Sequence, residues 1–166
     1  MDALSTVVGI APTDPRVLPL IETHLALMQA TSPAESVHAL PAAKLAEGGV
    51  RFFAILEGDE AVAMGALKPL GDGRGEIKSM HVRQAHRGRG LADQMLRHLL
   101  AVAREAGMAE VLLETGSRPA FAPARAFYAR HGFTECAPFV GYAEDVESVF
   151  MRLPLDRGAQ SPQNGA

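Results

Sequence analysis

The amino-acid sequence predicts one α/β domain, an α+β arrangement in which about four helices accompany a mixed β-sheet. Its 166 residues match the usual size of a single domain. Hydrophobic residues make up 48% and charged residues 21%, as in ordinary globular proteins. Strand-like and helix-like patterns alternate along the chain, which is typical of this class. We expect the domain to span residues 1–155 and the polar residues 156–166 to form a disordered tail.

The N-terminal part of the chain predicts one strand and two helices. Residues 6–10 are short and β-branched, which indicates a strand. Apolar residues recur at three- and four-residue spacing over residues 16–29, which indicates an amphipathic helix. Ser32, directly followed by Pro33, is typical of a helix start and predicts a second helix toward residues 48–49, which Pro41 interrupts.

A hairpin and a central strand follow these helices. Residues 50–56 and 61–67 are apolar runs separated by a turn, which predicts two antiparallel strands. Residues 76–82 alternate in the strand pattern, and we expect this strand to lie at the centre of the sheet. One face is expected to carry Glu76, Lys78, Met80 and Val82, and the other face Ile77, Ser79 and His81.

The C-terminal half predicts two helices alternating with strands. Residues 91–106 carry a long apolar stripe and predict a helix, and residues 110–114 predict the next strand. A second helix is expected over residues 119–131, an extended segment over 133–136 and a last strand over 146–155. A strand, helix and strand in this order favour a parallel pair within an otherwise antiparallel sheet.

Charge and cysteine content exclude several functions. The 16 Lys and Arg against 19 Asp and Glu give a net charge of −3, which disfavours nucleic-acid binding. Apolar runs are far shorter than the roughly 20 residues of a membrane span, and residues 1–5 lack a basic leader, so we expect a cytoplasmic protein. The single Cys136 excludes an internal disulfide. The histidines show no metal-ligand spacing, so we expect no metal.

The strongest motif is a glycine- and arginine-rich loop between the central strand and the long helix. Its residues are Arg87, Gly88, Arg89, Gly90, Leu91 and Ala92. Glycines let an anion approach the backbone, and a helix N-terminus offers free N–H groups and a positive dipole end, so a pyrophosphate fits this junction. The sequence after Gly90 lacks the Lys and Ser or Thr of a P-loop, and Asp93 replaces the small residue of a dinucleotide motif. The alternative is an ordinary turn with solvated arginines.

Two motifs together resemble the GNAT superfamily of N-acetyltransferases. Arg87, Gly90 and Ala92 match the defining positions of its Arg/Gln-x-x-Gly-x-Gly/Ala motif. Tyr128, followed four and five residues later by Gly132 and Phe133, resembles its second signature. The order of elements is similar over roughly residues 5–155. The likeness is greatest to small bacterial members of the YsnE type, on the segments ATSPAESVHAL (30–40), GEIKSM (75–80) and LETG (113–116).

The resemblance implies acetyl-CoA as co-substrate, bound where the strands over residues 76–82 and 110–115 splay apart. The implied cofactor residues are Met80, His81, Val82, Arg87, Gly88, Arg89, Gly90, Leu91 and Ala92. The backbone of Met80 and Val82 would hold the pantetheine arm, and the amides of the loop would hold the pyrophosphate. One departure concerns residues 117–123, which lack the asparagine that many members carry before the second-motif helix.

Acetyl transfer to an amine requires a base, a donor to the oxyanion and an acid for the leaving thiolate. Glu76 is the candidate base, with an ion pair to Lys78 as its alternative, and Glu114 is a second candidate base. Tyr128 is the candidate acid, because a phenol is protonated at neutral pH, and core packing is its alternative. His81, expected on the face opposite Glu76, is more simply interpreted as a core histidine.

The acceptor is expected to be a primary amine of a small molecule, because no further recognition module accompanies the domain. The acidic residues 144–147 could favour a cationic amine at the mouth of the site, or form a solvated loop. Alternatives are a protein lysine or N-terminus as acceptor, and a non-catalytic module that binds acyl-CoA. A homodimer is left open, and neither nucleic acid nor membrane is an expected partner.

Overall fold

The computed structural model describes residues 6–155 and has a seven-stranded mixed sheet in the order β1-β2-β3-β4-β5-β7-β6. The strands are β1 (Val7–Gly9), β2 (Arg51–Glu57), β3 (Glu60–Gly71), β4 (Arg74–Val82), β5 (Glu110–Gly116), β6 (Thr134–Cys136) and β7 (Ser148–Pro154). Neighbouring strands are antiparallel except β4 and β5, which are parallel. The predicted α/β class is confirmed, whereas the predicted tail, residues 156–166, lies outside the described residues.

Four α-helices occur in residues 6–155, as predicted. They are α1 (Leu18–Thr31), α2 (Ala42–Leu45), α3 (Leu91–Glu105) and α4 (Ala122–Arg130). Short 3₁₀ turns lie at Ala34–Ser36, Gln84–His86 and Pro119–Phe121. None of the helices within this range is long and apolar enough to cross a lipid bilayer.

The second predicted helix is wrong in extent. The structure has only the 3₁₀ turn Ala34–Ser36, an extended segment and the one-turn helix α2. Pro41, which is extended with ψ 165°, precedes α2. Because proline lacks an N–H and disfavours helical geometry at the residue before it, a continuous helix cannot pass Leu40 and Pro41.

The sheet is covered on both faces by helices. On one face the apolar stripe of α3, with Met95, Leu96 and Leu99 fully buried, packs with Ile77 and Leu113. On the other face Leu20 and Ile21 of α1 pack with Phe52, Ala54 and Met64 of the hairpin. The predicted stripe of α3 is thereby confirmed, and the site lies at the end of the sheet between these two layers.

A bulge in β4 changes which side chains share a face. Lys78 pairs with Ala66 but His81 pairs with Met64, so β4 has one extra residue between these pairs. Ser79, in the left-handed region with φ 58°, lies within this bulge. One extra residue reverses the alternation of side chains, so residues after the bulge point to the sheet face opposite to the one that a regular strand would give them.

The predicted face assignment of the central strand is therefore wrong beyond the bulge. His81 lies on the α1 face together with Glu76, and its ring contacts that of His24. Met80 and Val82 pack instead on the α3 side, in the same cluster as Met95. A period of two is a correct expectation for a regular strand, but the pattern of residue types does not reveal the bulge.

The parallel strands β4 and β5 separate at one end. Their pairing runs from Arg74 and Glu110 to Glu76 and Leu112 and then ends. Beyond it, β4 remains paired with β3 as far as Val82. Along its edge opposite β4, β5 remains paired with β7 as far as Gly116. The facing edges of β4 and β5 are thus not paired with each other past Glu76, and a cleft opens between them.

Candidate active site

A cleft of about 580 Å³ begins where β4 and β5 separate and continues to the N-terminus of α3. All but one of the predicted cofactor residues line it, namely Met80, His81, Val82, Arg87, Gly88, Gly90, Leu91 and Ala92. Its opposite wall includes Phe121, Phe127 and Tyr128, so much of its surface is apolar. The sequence thus identified one continuous side of the cleft, because residues 80–92 follow each other along the chain.

The loop before α3 leaves its backbone accessible. Gly88 and Gly90 have φ of 82° and 79°, in the left-handed region that glycine adopts without strain. A Cβ built on either residue would meet no atom within 4 Å, so the space around both is open. Gly90 is also the N-cap of α3 and offers no side chain to the first N–H groups of the helix. These groups suit an anion such as a pyrophosphate.

Arg89 is the predicted cofactor residue whose side chain lies away from the cleft. Its guanidinium donates to Glu57 Oε2 at 3.1 Å, while His86 Nε2 lies 2.9 Å from Glu57 Oε1. Arg87, by contrast, lines the cleft and donates through Nε to the Val82 carbonyl at 3.3 Å. Glu57 was not among the candidate residues, because it belongs to a hairpin turn about 30 residues earlier in the chain.

A second cavity, of about 160 Å³, adjoins the cleft on the α1 side of the sheet. It lies between β4, β5, the segment after α1 and the segment between β6 and β7. The residues that line both spaces are His24, Met28, Met80, Phe121, Ala124 and Tyr128. We call the smaller space the acceptor cavity, after the amine acceptor that the resemblance implies.

Glu76 lies at the wall of the acceptor cavity and is 2% exposed. Lys78 Nζ donates to its Oε2 at 3.2 Å, and the Tyr142 hydroxyl donates to the same oxygen. Lys78 also lies 3.0 Å from the Tyr142 hydroxyl, which closes a triangle of contacts. The Glu76–Lys78 ion pair considered as an alternative is therefore present. Tyr142 was missed, because a tyrosine in a loop carries no motif.

Glu114, the second candidate base, faces the same cavity from β5. It is only partly exposed, and burial raises the pKa of its carboxyl to about 7. The Ser148 side chain and the Lys78 ammonium lower this pKa, whereas the nearby Glu76 carboxylate raises it further. Glu76 and Glu114 are two of the three carboxyl groups that line the acceptor cavity, with Glu147 as the third, and they lie in different electrostatic surroundings.

Tyr128 stands where the cleft and the acceptor cavity meet. The side chain is 8% exposed and packs edge-on against Phe127 and Phe133, with ring centroids 5.2 and 5.5 Å away. Burial raises the pKa of its phenol above the usual value of 10. The hydroxyl is therefore protonated throughout the physiological range. It is a weaker acid than the phenol of an exposed tyrosine.

His81 and His131 each contact a specific polar partner. His81 Nδ1 lies 3.0 Å from His24 Nδ1, and burial lowers the pKa of both imidazoles to about 4. Both rings are therefore neutral at pH 7 and join α1 to the bulged end of β4. His131 contacts Asp93 at the start of α3, with Nε2 3.0 Å from Oδ1.

Arginine contacts organise the segment that lacks the family asparagine. Arg125 of α4 donates to the carbonyls of Gly116 and Arg118, at 2.6 and 3.1 Å. Arg118 in turn pairs with Glu147 at 2.6 Å. Phe121 packs directly over Gly116, where any Cβ would lie 2.1 Å from its ring. This segment therefore shapes the cavity wall through packing and arginine–carbonyl bonds.

Two contacts join the loops around the acceptor cavity. Ser36 Oγ donates to Asp145 Oδ2 at 2.6 Å, and the rings of His38 and Tyr142 meet edge-on at 4.9 Å. These contacts connect the segment after α1 with the segment before β7. Part of the acidic stretch at residues 144–147 is therefore engaged in specific contacts rather than fully solvated.

Comparisons with known proteins agree with this geometry. The family model described as Acetyltransferase (GNAT) family matches residues 19–133. The uncharacterized N-acetyltransferase YsnE of Bacillus subtilis is 44% identical over 143 residues, covering 86% of this chain and 95% of the relative. The uncharacterized N-acetyltransferase YedL of Escherichia coli is 39% identical over 150 residues, covering 90% and 94%.

A solved structure extends the agreement to three dimensions. A Klebsiella pneumoniae protein, proposed to be an acyl-CoA N-acyltransferase, superposes with a TM-score of 0.75 at 34% identity. The match covers 93% of this chain and 100% of the other. The fold and these matches define an acyl-CoA-dependent acetyltransferase, and the chain belongs to the GNAT family.

Proposed function

We propose that this enzyme transfers the acetyl group of acetyl-CoA to the primary amine of a small molecule, by direct attack in a complex of both substrates. The observation that carries the proposal is the junction of the two spaces at Met80 and Tyr128. An acyl group delivered along the cleft would reach the acceptor cavity at this junction.

The cleft fits acetyl-CoA. The open backbone of Gly88 and Gly90 and the uncapped N-terminus of α3 suit its pyrophosphate, with Arg87 adding positive charge. The apolar wall suits the pantetheine arm, which would lie along the unpaired edge of β4 near Met80 and Val82. Bound there, acetyl-CoA supplies an activated acetyl carbon and a thiolate leaving group.

Proton transfers are assigned to residues at the junction. The acceptor nitrogen must lose a proton before it can attack, and the carboxyl groups of Glu76 and Glu114 face the acceptor cavity. The protonated hydroxyl of Tyr128 would donate to the departing sulfur. The backbone near the Ser79 bulge would hold the thioester carbonyl.

The acceptor cavity favours a small amine without a carboxylate. Its volume of about 160 Å³ suits a small molecule better than a polypeptide segment. Lys78 is the one lysine or arginine among the described residues that line it, and this ammonium is already bound to Glu76 and Tyr142. A substrate carboxylate would find no free cation there, so we expect monoamines to be better acceptors than amino acids.

Acetyl-CoA binding and thiol release test the proposal separately. Acetyl-CoA is expected to raise the melting temperature, because a ligand that binds only the folded state stabilises it. The assay for activity is acetyl-CoA-dependent thiol release with butylamine, 2-phenylethylamine, glycine and a lysine-containing tripeptide. Release with the two monoamines is expected to be fastest. Stabilisation without release from any amine would indicate a binding module, and fastest release with the tripeptide would indicate a protein acceptor.

A further inference from the structure

The two candidate bases in the acceptor cavity, Glu76 and Glu114, have different partners. Glu76 has its Oε2 bound by Lys78 and Tyr142, whereas none of the ion pairs formed among residues 6–155 involves Glu114. We propose that Glu114 is the catalytic residue that accepts the ammonium proton of the acceptor amine, and that Glu76 is a positioning residue. This inference rests on the proposed function.

Strand placement brings Glu114 to the point where the acceptor must lie. The last β4–β5 pair is Glu76 with Leu112, and Glu114 lies two residues further along β5. Leu112 packs with Phe139 and Phe150, in the cluster that Tyr142 also contacts. Alternation puts Glu114 on the same face as Leu112, and it lines the cavity with Glu76 and Lys78. An amine between the separated strands is therefore within reach of Glu114.

Glu76 is engaged by two neighbouring side chains. Its carboxylate pairs with the Lys78 ammonium, whose side chain is 9% exposed, and the Tyr142 hydroxyl donates to the same oxygen. Removal of this carboxylate would leave the buried ammonium without its counter-ion, which is costly in a poorly solvated site. The same contacts hold Tyr142, which belongs to the loop before β7, at the wall of the cavity. Glu76 therefore organises this wall.

Other charged groups also affect Glu114. The titratable groups that line the cavity with it are His24, His38, Glu76, Lys78, Tyr128, Tyr142 and Glu147, and Asp145 and Ser148 lie close enough to influence it. Glu147 is paired with Arg118, and the His24 imidazole is neutral. Burial is the largest influence on Glu114 and raises its pKa to about 7. A carboxyl with this pKa is partly ionised at neutral pH and holds a proton more firmly than an exposed glutamate.

The proton step conserves charge. The acceptor enters as an ammonium ion and transfers one proton to the ionised Glu114 carboxylate. The N–H bond breaks, an O–H bond forms on Glu114, and the electron pair stays on nitrogen. A cation and an anion become two neutral groups, which a partly buried cavity favours. After turnover Glu114 loses this proton to solvent.

A direct test measures the titration of Glu114 in the whole protein without substrates. Carbon-13 NMR of the glutamate side-chain carboxyls, assigned by through-bond correlation, gives the midpoint for each residue. We expect the Glu114 signal to titrate near pH 7. A midpoint near 4.5, the ordinary value for glutamate, would overturn the proposal without reference to any variant.

Matched variants test the catalytic assignment. Glu114→Gln keeps the shape of the side chain but cannot accept a proton, so kcat/KM is expected to fall at least a hundredfold. In the wild type kcat/KM is expected to fall as the pH decreases below about 7, and this acid limb of the pH profile should be absent in Glu114→Gln. Glu76→Gln should also be slower, but it should retain that limb. The thermal stabilisation by acetyl-CoA should be the same for Glu114→Gln as for the wild type.

The outcomes separate this inference from the proposed function. If the wild type releases thiol with an amine and Glu114→Gln keeps its rate and pH profile, Glu114 is not the proton acceptor although the proposed function stands. Loss of the acid limb in Glu76→Gln instead would assign the role to Glu76. If the wild type releases no thiol with any amine, the proposed function itself fails, and the assignment of Glu114 fails with it.

Discussion

The cofactor cleft and the acceptor cavity meet at Tyr128 but are built in different ways. One side of the cleft comes from one continuous segment, residues 80–92, and the groups proposed to bind the pyrophosphate are mostly backbone N–H. The acceptor cavity is assembled from α1, β4, β5, α4 and two loops, and its polar groups are side chains. A loop that binds through its backbone can serve many enzymes that share one cofactor. A cavity lined by side chains can differ from one of these enzymes to the next.

Electrostatics differ between the two regions as well. Beside the cleft the exposed Glu57 carboxylate binds His86 and Arg89 at the surface, where ion pairs are weak. In the acceptor cavity Glu76, Lys78 and Tyr142 interact out of water. Substitutions in the acceptor cavity are therefore expected to change rate and pH dependence, and substitutions in the cleft to change the affinity for acetyl-CoA.

The largest expected effect is at Tyr128, which belongs to both regions. Tyr128→Phe removes the hydroxyl that would protonate the leaving thiolate, and kcat is expected to fall about 10²- to 10³-fold. Acetyl-CoA should stabilise this variant as it does the wild type. Tyr142→Phe is the matched control, since it removes a phenol hydroxyl from the acceptor cavity alone, and a smaller loss is expected. An unchanged kcat for Tyr128→Phe at saturating substrates would remove its acid role.

The second effect concerns stability and pH at Glu114. Its pKa is about 7 in the folded protein against an ordinary value of 4.5, so the folded state binds more protons between these pH values. Stability should therefore fall as pH rises through this window, by about 3 kcal/mol in total. Urea denaturation at pH 5 and pH 8 should show this loss in the wild type and not in Glu114→Gln. The exposed Glu35→Gln is the control, and an equal loss in all three proteins would contradict the prediction.

A third and smaller effect is expected at the anion loop. Gly90 and Gly107 lie at opposite ends of α3, both have φ 79°, and neither has an atom within 4 Å of a built Cβ. Alanine at either position should cost about 1 kcal/mol of stability through its left-handed backbone. Only Gly90→Ala should weaken acetyl-CoA binding, by about tenfold. Calorimetric titration measures this difference, and equal affinities would show that Gly90 does not approach the pyrophosphate.

The smallest effect is expected at Glu57. Glu57→Gln frees Arg89 and removes a negative charge near the loop, so acetyl-CoA affinity should rise about threefold at low salt and return to the wild-type value at high salt. Glu60→Gln, which removes the partner of Arg83, is the control. Weaker binding in Glu57→Gln would mean that the carboxylate orients the loop rather than restraining Arg89.

Local patterns were sufficient for most of the fold. The apolar stripe of α3, the hairpin and the β5–α4 order follow from spacing that the sequence contains directly, and they are confirmed. The second helix failed, because its start signal at Ser32 was given more weight than the break at Pro41. The bulge at Ser79 was missed, because a single extra residue in a strand carries no composition signal. The homodimer and the cytoplasmic location stay predictions.

The amino-acid sequence by itself determined the family and the side of the cleft along residues 80–92, since both depend on neighbours along the chain. Only the tertiary structure decided the surroundings of the two candidate bases. It brought Tyr142 to Glu76 across 66 residues, left Glu114 without an ion pair among the described residues, and turned Arg89 toward Glu57. The physical reason is that burial and charge act through space, and which distant side chains meet depends on how the sheet, its bulge and its loops pack.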